Sequence, residues 1–120
     1  FENRKLTGCN FAESYLRDCR FKDCVINFGS FSGTNLKHVA FENCQMTDSE
    51  FFEVTWKHLF LDTNNLDNSN WMRTKLSDLD LTSNQFSKIA FSMEQLKGLK
   101  VNSYQALTIA AGLGLQIQEG

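Results

Sequence analysis

An apolar residue stands at every fifth position of this chain, from the first residue to position 101. The period is five, whereas a half-buried strand repeats every two residues and a helix every 3.6. All 21 of these positions are apolar, although only 42% of the residues are hydrophobic. A short, fixed repeat of this length indicates a solenoid, in which each repeat packs on its neighbours. The apolar positions are Phe1, Leu6, Phe11, Leu16, Phe21, Ile26, Phe31, Leu36, Phe41, Met46, Phe51, Trp56, Leu61, Leu66, Trp71, Leu76, Leu81, Phe86, Phe91, Leu96 and Val101.

A mostly small residue stands two positions before these apolar centres, and the other three places of each quintet are polar or charged. Asn, Asp, Ser and Gly are common there, which suits tight turns and left-handed backbone. We therefore expect each quintet to direct one large and one small residue inward and three residues outward. The small inward series begins with Cys9, Ser14, Cys19, Cys24, Gly29, Thr34, Val39, Cys44, Ser49 and Val54.

This pattern resembles that of the pentapeptide-repeat family over residues 1–101. The resemblance implies an all-β fold, a right-handed quadrilateral β-helix of about five coils with four quintets, or 20 residues, in each coil. Adjacent coils would lie about 4.8 Å apart. The chain contains no proline, which agrees with the resemblance because each coil needs its N–H groups for the neighbouring coil.

Arranging the chain in coils of 20 residues separates aromatic centres from aliphatic ones. Two opposing sides carry aromatic residues, and the sides between them carry Leu, Ile and Met except at Trp56 and Phe86. We therefore expect facing aromatics with aliphatic flanks to fill the interior in stacked layers. One aromatic side consists of Phe11, Phe31, Phe51, Trp71 and Phe91, and the other begins with Phe1, Phe21 and Phe41.

All four cysteines fall at the small inward position, at Cys9, Cys19, Cys24 and Cys44. One interpretation is a disulfide or metal site, since Cys24 and Cys44 would stack one coil apart. We favour the other interpretation, that they are small core residues with free thiols, which suits a reducing cytoplasm. Asn64 and Asn84 continue the Cys24–Cys44 column, and we expect them to form a hydrogen-bonded ladder at that corner.

Composition and motifs exclude several classes of function. The formal net charge is −2, which argues against direct nucleic-acid binding, and no stretch approaches the length of a membrane span. The sequence has no phosphate-binding glycine loop, HExxH or CxxC motif or nucleophile–base pair, so we expect no enzyme and no cofactor. A sugar-acting β-helix enzyme would need a carboxylate pair that is not evident. His38 and His58 should stack in one outward column, where solvated turn residues are a better interpretation than a weak metal site.

Outward charges also sort by side. One side carries five basic residues against Asp18 and Asp78, and the two aromatic-centred sides are acidic; a solvated surface of mixed sign is the alternative. Phe52 and Met72 should point outward side by side on one acidic side, and exposed apolar neighbours rimmed by carboxylates suggest a contact patch. The candidate partner-binding residues are Glu42, Asp62, Glu13, Glu50, Glu53, Phe52 and Met72, and the basic residues are Arg17, Lys37, Lys57, Lys75 and Lys97.

The repeat ends near position 101, and residues 102–120 form a second, C-terminal segment. Asn102 or Ser103 can cap a helix, and Gly112 or Gly114 can end it, with a short strand to follow. We expect this segment to cover the open end of the last coil, to join two copies of the chain, or to do both. The predicted dimer interface consists of Tyr104, Leu107, Ala111, Leu113 and Ile117.

Two regions narrow the resemblance. The runs LKGLKV at 96–101, YQA at 104–106 and LGL at 113–115 are similar to the end of the Qnr-type quinolone-resistance proteins, and SEFFEVTWK at 49–57 is similar to their loopless Gram-positive branch. The resemblance covers the C-terminal half of such a protein. It implies a dimer, joined through its C-terminal ends, that binds DNA gyrase and topoisomerase IV. It also implies an acidic surface that mimics duplex DNA and a lowered effect of fluoroquinolones.

We therefore predict a non-enzymatic, cytoplasmic, homodimeric protein that binds topoisomerases through its acidic sides. The alternative is a protein-interaction scaffold with another partner, centred on Phe52 and Met72. The register never breaks, so the projecting loops of Gram-negative members have no counterpart here. The first residue is Phe1 rather than Met and is already in register, so we expect the chain to enter the solenoid partway.

Overall fold

The computed structural model describes residues 1–116 and 118. Within this part of the chain, five β-strands precede a short 3₁₀ helix and one α-helix. The elements are β1 (Tyr15–Lys22), β2 (Asn35–Glu42), β3 (Thr55–Asp62), β4 (Ser69–Trp71), β5 (Ile89–Phe91), the 3₁₀ helix (Met93–Gln95) and α1 (Ser103–Gly112).

Parallel pairing joins residues that are 20 positions apart in the sequence. β1, β2 and β3 form one sheet, in which Leu16 pairs with Leu36 and Leu36 with Trp56. β4 pairs with β5 in the same register, and isolated bridges such as Glu50 to Asn70 continue this register around the coil. The chain is therefore an all-β solenoid with 20 residues per coil, as the five-residue period predicted.

Each coil has four sides, one for each quintet, and we name each side after one of its buried centres. The order around the coil is the Phe41, Met46, Phe51 and Leu36 sides, so the Phe41 and Phe51 sides lie opposite each other. The Phe41 side is centred on Phe21, Phe41 and Leu61, the Met46 side on Ile26, Met46 and Leu66, the Phe51 side on Phe31, Phe51 and Trp71, and the Leu36 side on Leu16, Leu36, Trp56 and Leu76.

The corners between quintets are formed by residues in the left-handed region of backbone space. From position 3 to position 78, every fifth residue has a positive φ. This conformation costs a residue other than glycine about 1–2 kcal/mol, and Asn and Asp tolerate it best. The outward polar residues occupy most of these corners. The fold nevertheless imposes the same conformation on Phe28, Thr63 and Arg73, whose φ angles are 60°, 59° and 59°.

The Phe41 and Phe51 sides meet in the core as two columns of stacked rings. The ring centroids of Phe21 and Phe41 are 4.8 Å apart, as are those of Phe31 and Phe51. Trp71 continues the second column, with its centroid 4.2 Å from that of Phe51. The two columns meet edge to face, as between Phe31 and Phe41 at 5.5 Å and 88°. These contacts confirm the predicted facing aromatics and have the geometry that the ring quadrupoles favour.

An inward column at one corner shows how the small positions are used. Cys24 and Cys44 are buried, and every cysteine of the described residues is a free thiol. Asn64 follows them: its Oδ1 accepts the Cys44 N–H at 2.9 Å, and its Nδ2 donates to the Phe41 carbonyl at 2.9 Å and to Oδ1 of Asn84 at 3.0 Å. The predicted asparagine ladder is therefore present, beside cysteines that act as core residues.

The helix α1 is tied to the last coil at its first turn. Asn102 is the cap: its side chain accepts the Gln105 N–H at 2.8 Å, and Oε1 of Gln105 accepts the Asn102 N–H at 2.9 Å. The buried Gln105 side chain also donates to the carbonyls of Leu81 and Asn84, both at 2.7 Å. One glutamine therefore completes the cap, anchors the helix and closes the asparagine ladder.

The last coil and the C-terminal segment depart from the simple repeat. Glu94 falls at the inward place of its quintet, and burying a carboxylate is costly. The 3₁₀ helix keeps Glu94 exposed, and Ser92 is buried instead, accepting the Arg73 N–H at 2.7 Å. The short strand predicted after α1 does not form at 115, 116 or 118, and Ile117 lies outside the described residues.

Candidate functional site: protein-interaction surfaces

The acidic residues of the Phe41 side lie on neighbouring strands, where the register pairs Glu42 with Asp62. Glu42 already has an internal partner, because Arg20 donates to its Oε2 from Nε at 2.8 Å and from Nη2 at 2.6 Å. These hydrogen bonds raise the pKa of the Arg20 guanidinium. Asp62 is exposed, and its carboxylate accepts the Thr63 hydroxyl at 3.0 Å. Asp62 is therefore the carboxylate of this pair that is more available to a partner.

The predicted apolar patch lies on the Phe51 side. Phe52 and Met72 hold equivalent outward positions on successive coils, and both are partly exposed. The Arg73 guanidinium lies 5.9 Å from the centre of the Phe52 ring, at the outer limit of a cation–π contact. Glu50 accepts a hydrogen bond from Nδ2 of Asn70 at 2.9 Å. The patch is thus an aromatic ring with a cation on one flank and a carboxylate nearby.

A notch of about 400 Å³ opens beside Phe52. Glu13, Gly33 and Glu53 occupy equivalent corners on successive coils, each with a positive φ. Because Gly33 has no side chain, the space between the two glutamates stays open. An opening with two carboxylates at its rim and an aromatic wall suits a positively charged side chain. The notch is lined by Ala12, Glu13, Ser32, Gly33, Phe52 and Glu53.

The seven predicted partner-binding residues do not form one surface. Glu42 and Asp62 lie on the Phe41 side, and the other five lie on the Phe51 side. These two sides are opposite each other across the aromatic core, so one flat partner surface cannot touch both. Counting in coils of 20 residues had already assigned these residues to two acidic sides, and the coil geometry keeps the two sides apart.

The Leu36 side is basic, as the sequence predicted. Arg17, Lys37 and Lys57 stand directly beside one another on β1, β2 and β3. Like charges in such cross-strand positions repel one another. Among the described residues, the only ion pair of this column joins Arg17 to Asp18 at 3.6 Å.

His38 and His58 stack at the corner beside this basic column. Their ring centroids are 4.6 Å apart and their planes are inclined by 16°, which confirms the predicted column. Across residues 1–116 and 118, no group of three His, Cys, Asp or Glu side chains is placed to hold a metal ion.

The predicted dimer interface is exposed at the surface of α1 and the turn that follows it. Tyr104 is 71% exposed and Leu107 47% exposed, and Ala111 and Leu113 are exposed as well. Two openings of about 620 and 230 Å³ lie between α1 and the last coil. The smaller one is lined entirely by apolar residues: Leu96, Leu99, Val101, Ala106, Ile109, Ala110, Leu113 and Leu115.

The sequence reasoning missed several exposed aromatic residues, among them Phe60 and Phe28. Phe60 on the Phe41 side is 62% exposed, and Phe28 at a corner of the Met46 side is 64% exposed. Both stand at outward positions, between the apolar centres that recur every five residues. The same signal identified Phe52, so it could have identified these two as well.

None of the helices in the described part of the chain has the length and apolarity needed to cross a membrane. The fold and the surfaces together define a β-solenoid whose inward residues repeat and whose outward residues differ from quintet to quintet.

The comparisons with known proteins assign this solenoid to a family. The model of the pentapeptide repeat region matches residues 1–71, and the chain belongs to the pentapeptide-repeat family. No curated protein sequence matches it. It is similar in fold to a trypsin-treated variant of QnrB1, described as a plasmid-mediated fluoroquinolone resistance protein, with 17% identity, a TM-score of 0.59, and coverage of 92% of this chain and 73% of that chain. A second trypsin-treated QnrB1 variant aligns over 98% of this chain and 87% of that chain at 14% identity and a TM-score of 0.31.

Proposed function

We propose that this protein is a non-enzymatic binder of DNA gyrase or topoisomerase IV that lowers fluoroquinolone susceptibility. The observation that carries the proposal is the solenoid fold shared with QnrB1, a fluoroquinolone resistance protein. Membership in the pentapeptide-repeat family supports it, as does the similarity of the segments at 49–57 and 96–101 to Qnr-type proteins. The proposed site of action is the cytoplasm, where these enzymes act.

The carboxylates of the acidic sides would occupy the positions at which the enzyme binds the phosphates of DNA. The Phe51 side is the better candidate, because Glu13 and Glu53 line an open notch beside Phe52, and Glu50 lies on the same side. On the Phe41 side, the pairing of Glu42 with Arg20 reduces the charge available to a partner. Complementary charge of this kind favours rapid, oriented encounter more than raw affinity.

The functional unit would be a homodimer joined through the C-terminal segments. Support comes from the exposed Tyr104, Leu107, Ala111 and Leu113, and from the apolar opening between α1 and the last coil. A second copy would cover this apolar surface, which is the arrangement typical of dimer interfaces. The proposed role of Ile117 lies outside the described residues.

A gyrase assay tests the first proposal. The purified chain, in increasing molar excess, is added to supercoiling reactions and to ciprofloxacin-stabilised cleavage reactions. We expect altered supercoiling or fewer cleaved complexes, and a weaker effect from Glu50→Lys and Glu53→Lys. Asn35→Lys, an exchange on the exposed Leu36 side, is the matched control and should behave as wild type. No effect at a large excess would reject the proposal.

The alternative is a scaffold whose partner is not a topoisomerase, and the partly exposed pair of Phe52 and Met72 favours it. Buried aromatic anchors dominate the energy of many protein interfaces. Affinity purification should then enrich one defined protein with wild type and lose it with Phe52→Ala, while Phe28→Ala retains it. Enrichment of gyrase subunits would instead favour the first proposal.

A further inference from the structure

The solenoid has an unpaired seam between β3 and the coil that follows it. β3 is an edge of its sheet, and within the described residues no backbone hydrogen bond or bridge joins it to residues 75–82. Where coils are paired, an N–H donates to the carbonyl 21 positions earlier, as Lys100 does to Leu79 at 2.9 Å. The equivalent bond, from the Asp80 N–H to the Leu59 carbonyl, is not formed. On the other two sides of the same coils the parallel pairing continues, because bridges join residue 45 to residue 65 and residue 50 to residue 70.

Trp56 accounts for the start of this seam. In other coils the centre of a quintet donates its N–H to the carbonyl 19 positions later, as Leu6 does to Val25 at 2.7 Å. For Trp56 that carbonyl belongs to Lys75. It accepts a hydrogen bond from the indole Nε1 at 2.6 Å instead of one from the Trp56 backbone N–H. The indole is larger than the leucines that centre the Leu36 side in the neighbouring coils. It is only partly buried, and it occupies the acceptor that the backbone would use.

The seam opens outward on the Phe41 side as a cleft of about 410 Å³. Phe60 stands at its rim and is 62% exposed. The far end is closed, because Nδ2 of Asn84 donates to the Leu61 carbonyl at 2.8 Å. The cleft is lined by Leu59, Phe60, Leu61, Asp62, Asp78, Asp80, Ser83 and Lys100. The core beneath stays covered, since Leu59 and Leu61 are buried.

The charge of the cleft is negative. Asp62, Asp78 and Asp80 are exposed at its rim, and Lys100 is the one basic residue of the lining. Asp80 accepts from the hydroxyl and the N–H of Thr82, which lowers the pKa of its carboxyl group. The rim therefore attracts positively charged groups.

We propose that this seam is a docking site for an extended basic segment of a partner protein, which adds as a strand to the free edge of β3. An unpaired strand edge offers N–H and carbonyl groups that a further strand can satisfy. Widening the seam by one strand spacing of about 4.8 Å breaks no backbone ladder bond, because none is formed there. Phe60 would anchor an apolar side chain, and the three aspartates would select basic ones. The inference does not depend on the identity of the proposed partner.

Hydrogen exchange of the free protein tests the seam itself. The amides of His58 and Leu61 should exchange much faster than those of His38 and Phe41, which hold the equivalent positions one coil earlier. In Trp56→Leu the Lys75 carbonyl becomes available to the backbone, and the His58 and Leu61 amides should become protected. Equal protection of the two pairs in wild type would overturn the inference.

Peptide binding tests the occupant. The probe is a fluorescein-labelled hexapeptide of alternating arginine and valine, with the glutamate–valine peptide as the charge control. Anisotropy should show binding of the basic peptide only, weakened about tenfold by Phe60→Ala and by Trp56→Leu. Phe28→Ala removes an equally exposed aromatic residue elsewhere and should leave affinity unchanged. No binding, or equal binding by wild type and Trp56→Leu, would overturn the proposal.

Discussion

Asp67 and Ser87 join two coils through a single carboxylate oxygen. Oδ1 of Asp67 accepts the Ser87 hydroxyl at 2.9 Å, the Ser87 N–H at 3.1 Å and the Lys88 N–H at 2.9 Å. Slight burial raises the pKa of Asp67, but these hydrogen bonds outweigh it and lower the pKa below its ordinary value of 3.8. The ionised form is thus the one that the folded chain prefers.

This preference predicts a pH dependence of stability. A carboxyl group with a lowered pKa in the folded state stabilises the fold above its unfolded pKa, and the effect disappears as the pH falls through the folded pKa. The difference in free energy of unfolding between wild type and Asp67→Asn should be constant above about pH 5 and shrink below it. Urea unfolding at a series of pH values measures this difference. A difference independent of pH would contradict the account.

The asparagine ladder should be a major contributor to stability. Asn64→Ala leaves the buried Cys44 N–H and Phe41 carbonyl without their partner, and we expect a loss of about 2–4 kcal/mol in the free energy of unfolding. Asn35→Ala changes an exposed asparagine and should stay within about 0.5 kcal/mol of wild type. Denaturant titration of both variants tests this, and equal effects would argue against the ladder.

Relieving the backbone at a β-branched corner should stabilise the solenoid. Thr63 has a φ of 59°, and Asn tolerates this conformation better than a β-branched residue. We expect Thr63→Asn to raise the free energy of unfolding by about 0.5–1 kcal/mol. Gly33→Ala is the converse, because Gly33 has a φ of 68° and an added Cβ would lie 3.3 Å from Cγ of Glu13. It should lower the midpoint of thermal unfolding, and a gain in stability would count against the corner argument.

The buried thiol of Cys44 should be chemically silent in the native protein. Burial raises its pKa to about 11, although hydrogen bonds to backbone groups oppose this. Since only the thiolate reacts readily, a disulfide reagent at about pH 8 should label Cys44 only after unfolding. Mass spectrometry of partly labelled protein identifies the sites. Native labelling of Cys44 as fast as that of the less buried Cys19 would contradict the prediction.

The proposed dimer has its own test. Leu107 is 47% exposed on α1, and Leu107→Arg places a charge in the expected apolar interface, which desolvation makes costly. Light scattering should give a dimer mass for wild type and a monomer mass for the variant. Gln85→Arg adds the same charge on the Met46 side and should remain a dimer. A monomer mass for wild type, or no change for Leu107→Arg, would reject this interface.

Several features were predictable because they depend on position within a quintet. The two columns of stacked rings on the Phe41 and Phe51 sides, the His38–His58 column and the asparagine ladder each follow from counting in steps of five and 20. The pairing of Glu42 with Arg20 was not predictable in this way, because it joins residues two places out of that register and depends on side-chain reach. The burial of Ser92 was also missed, since a charged residue at Glu94 forces a local change of backbone that periodicity does not describe.

The sequence by itself determined the solenoid, its coil length and its core, because one backbone conformation repeats and makes inward orientation a local property. The tertiary structure decided which outward side chains remain available to a partner, since that depends on side-chain reach, as in the pairing of Arg20 with Glu42. It also decided where the backbone hydrogen bonding between successive coils is interrupted. Trp56 satisfies the apolar period as well as leucine does. Only its packing against the next coil shows that its indole N–H donates to the carbonyl of Lys75.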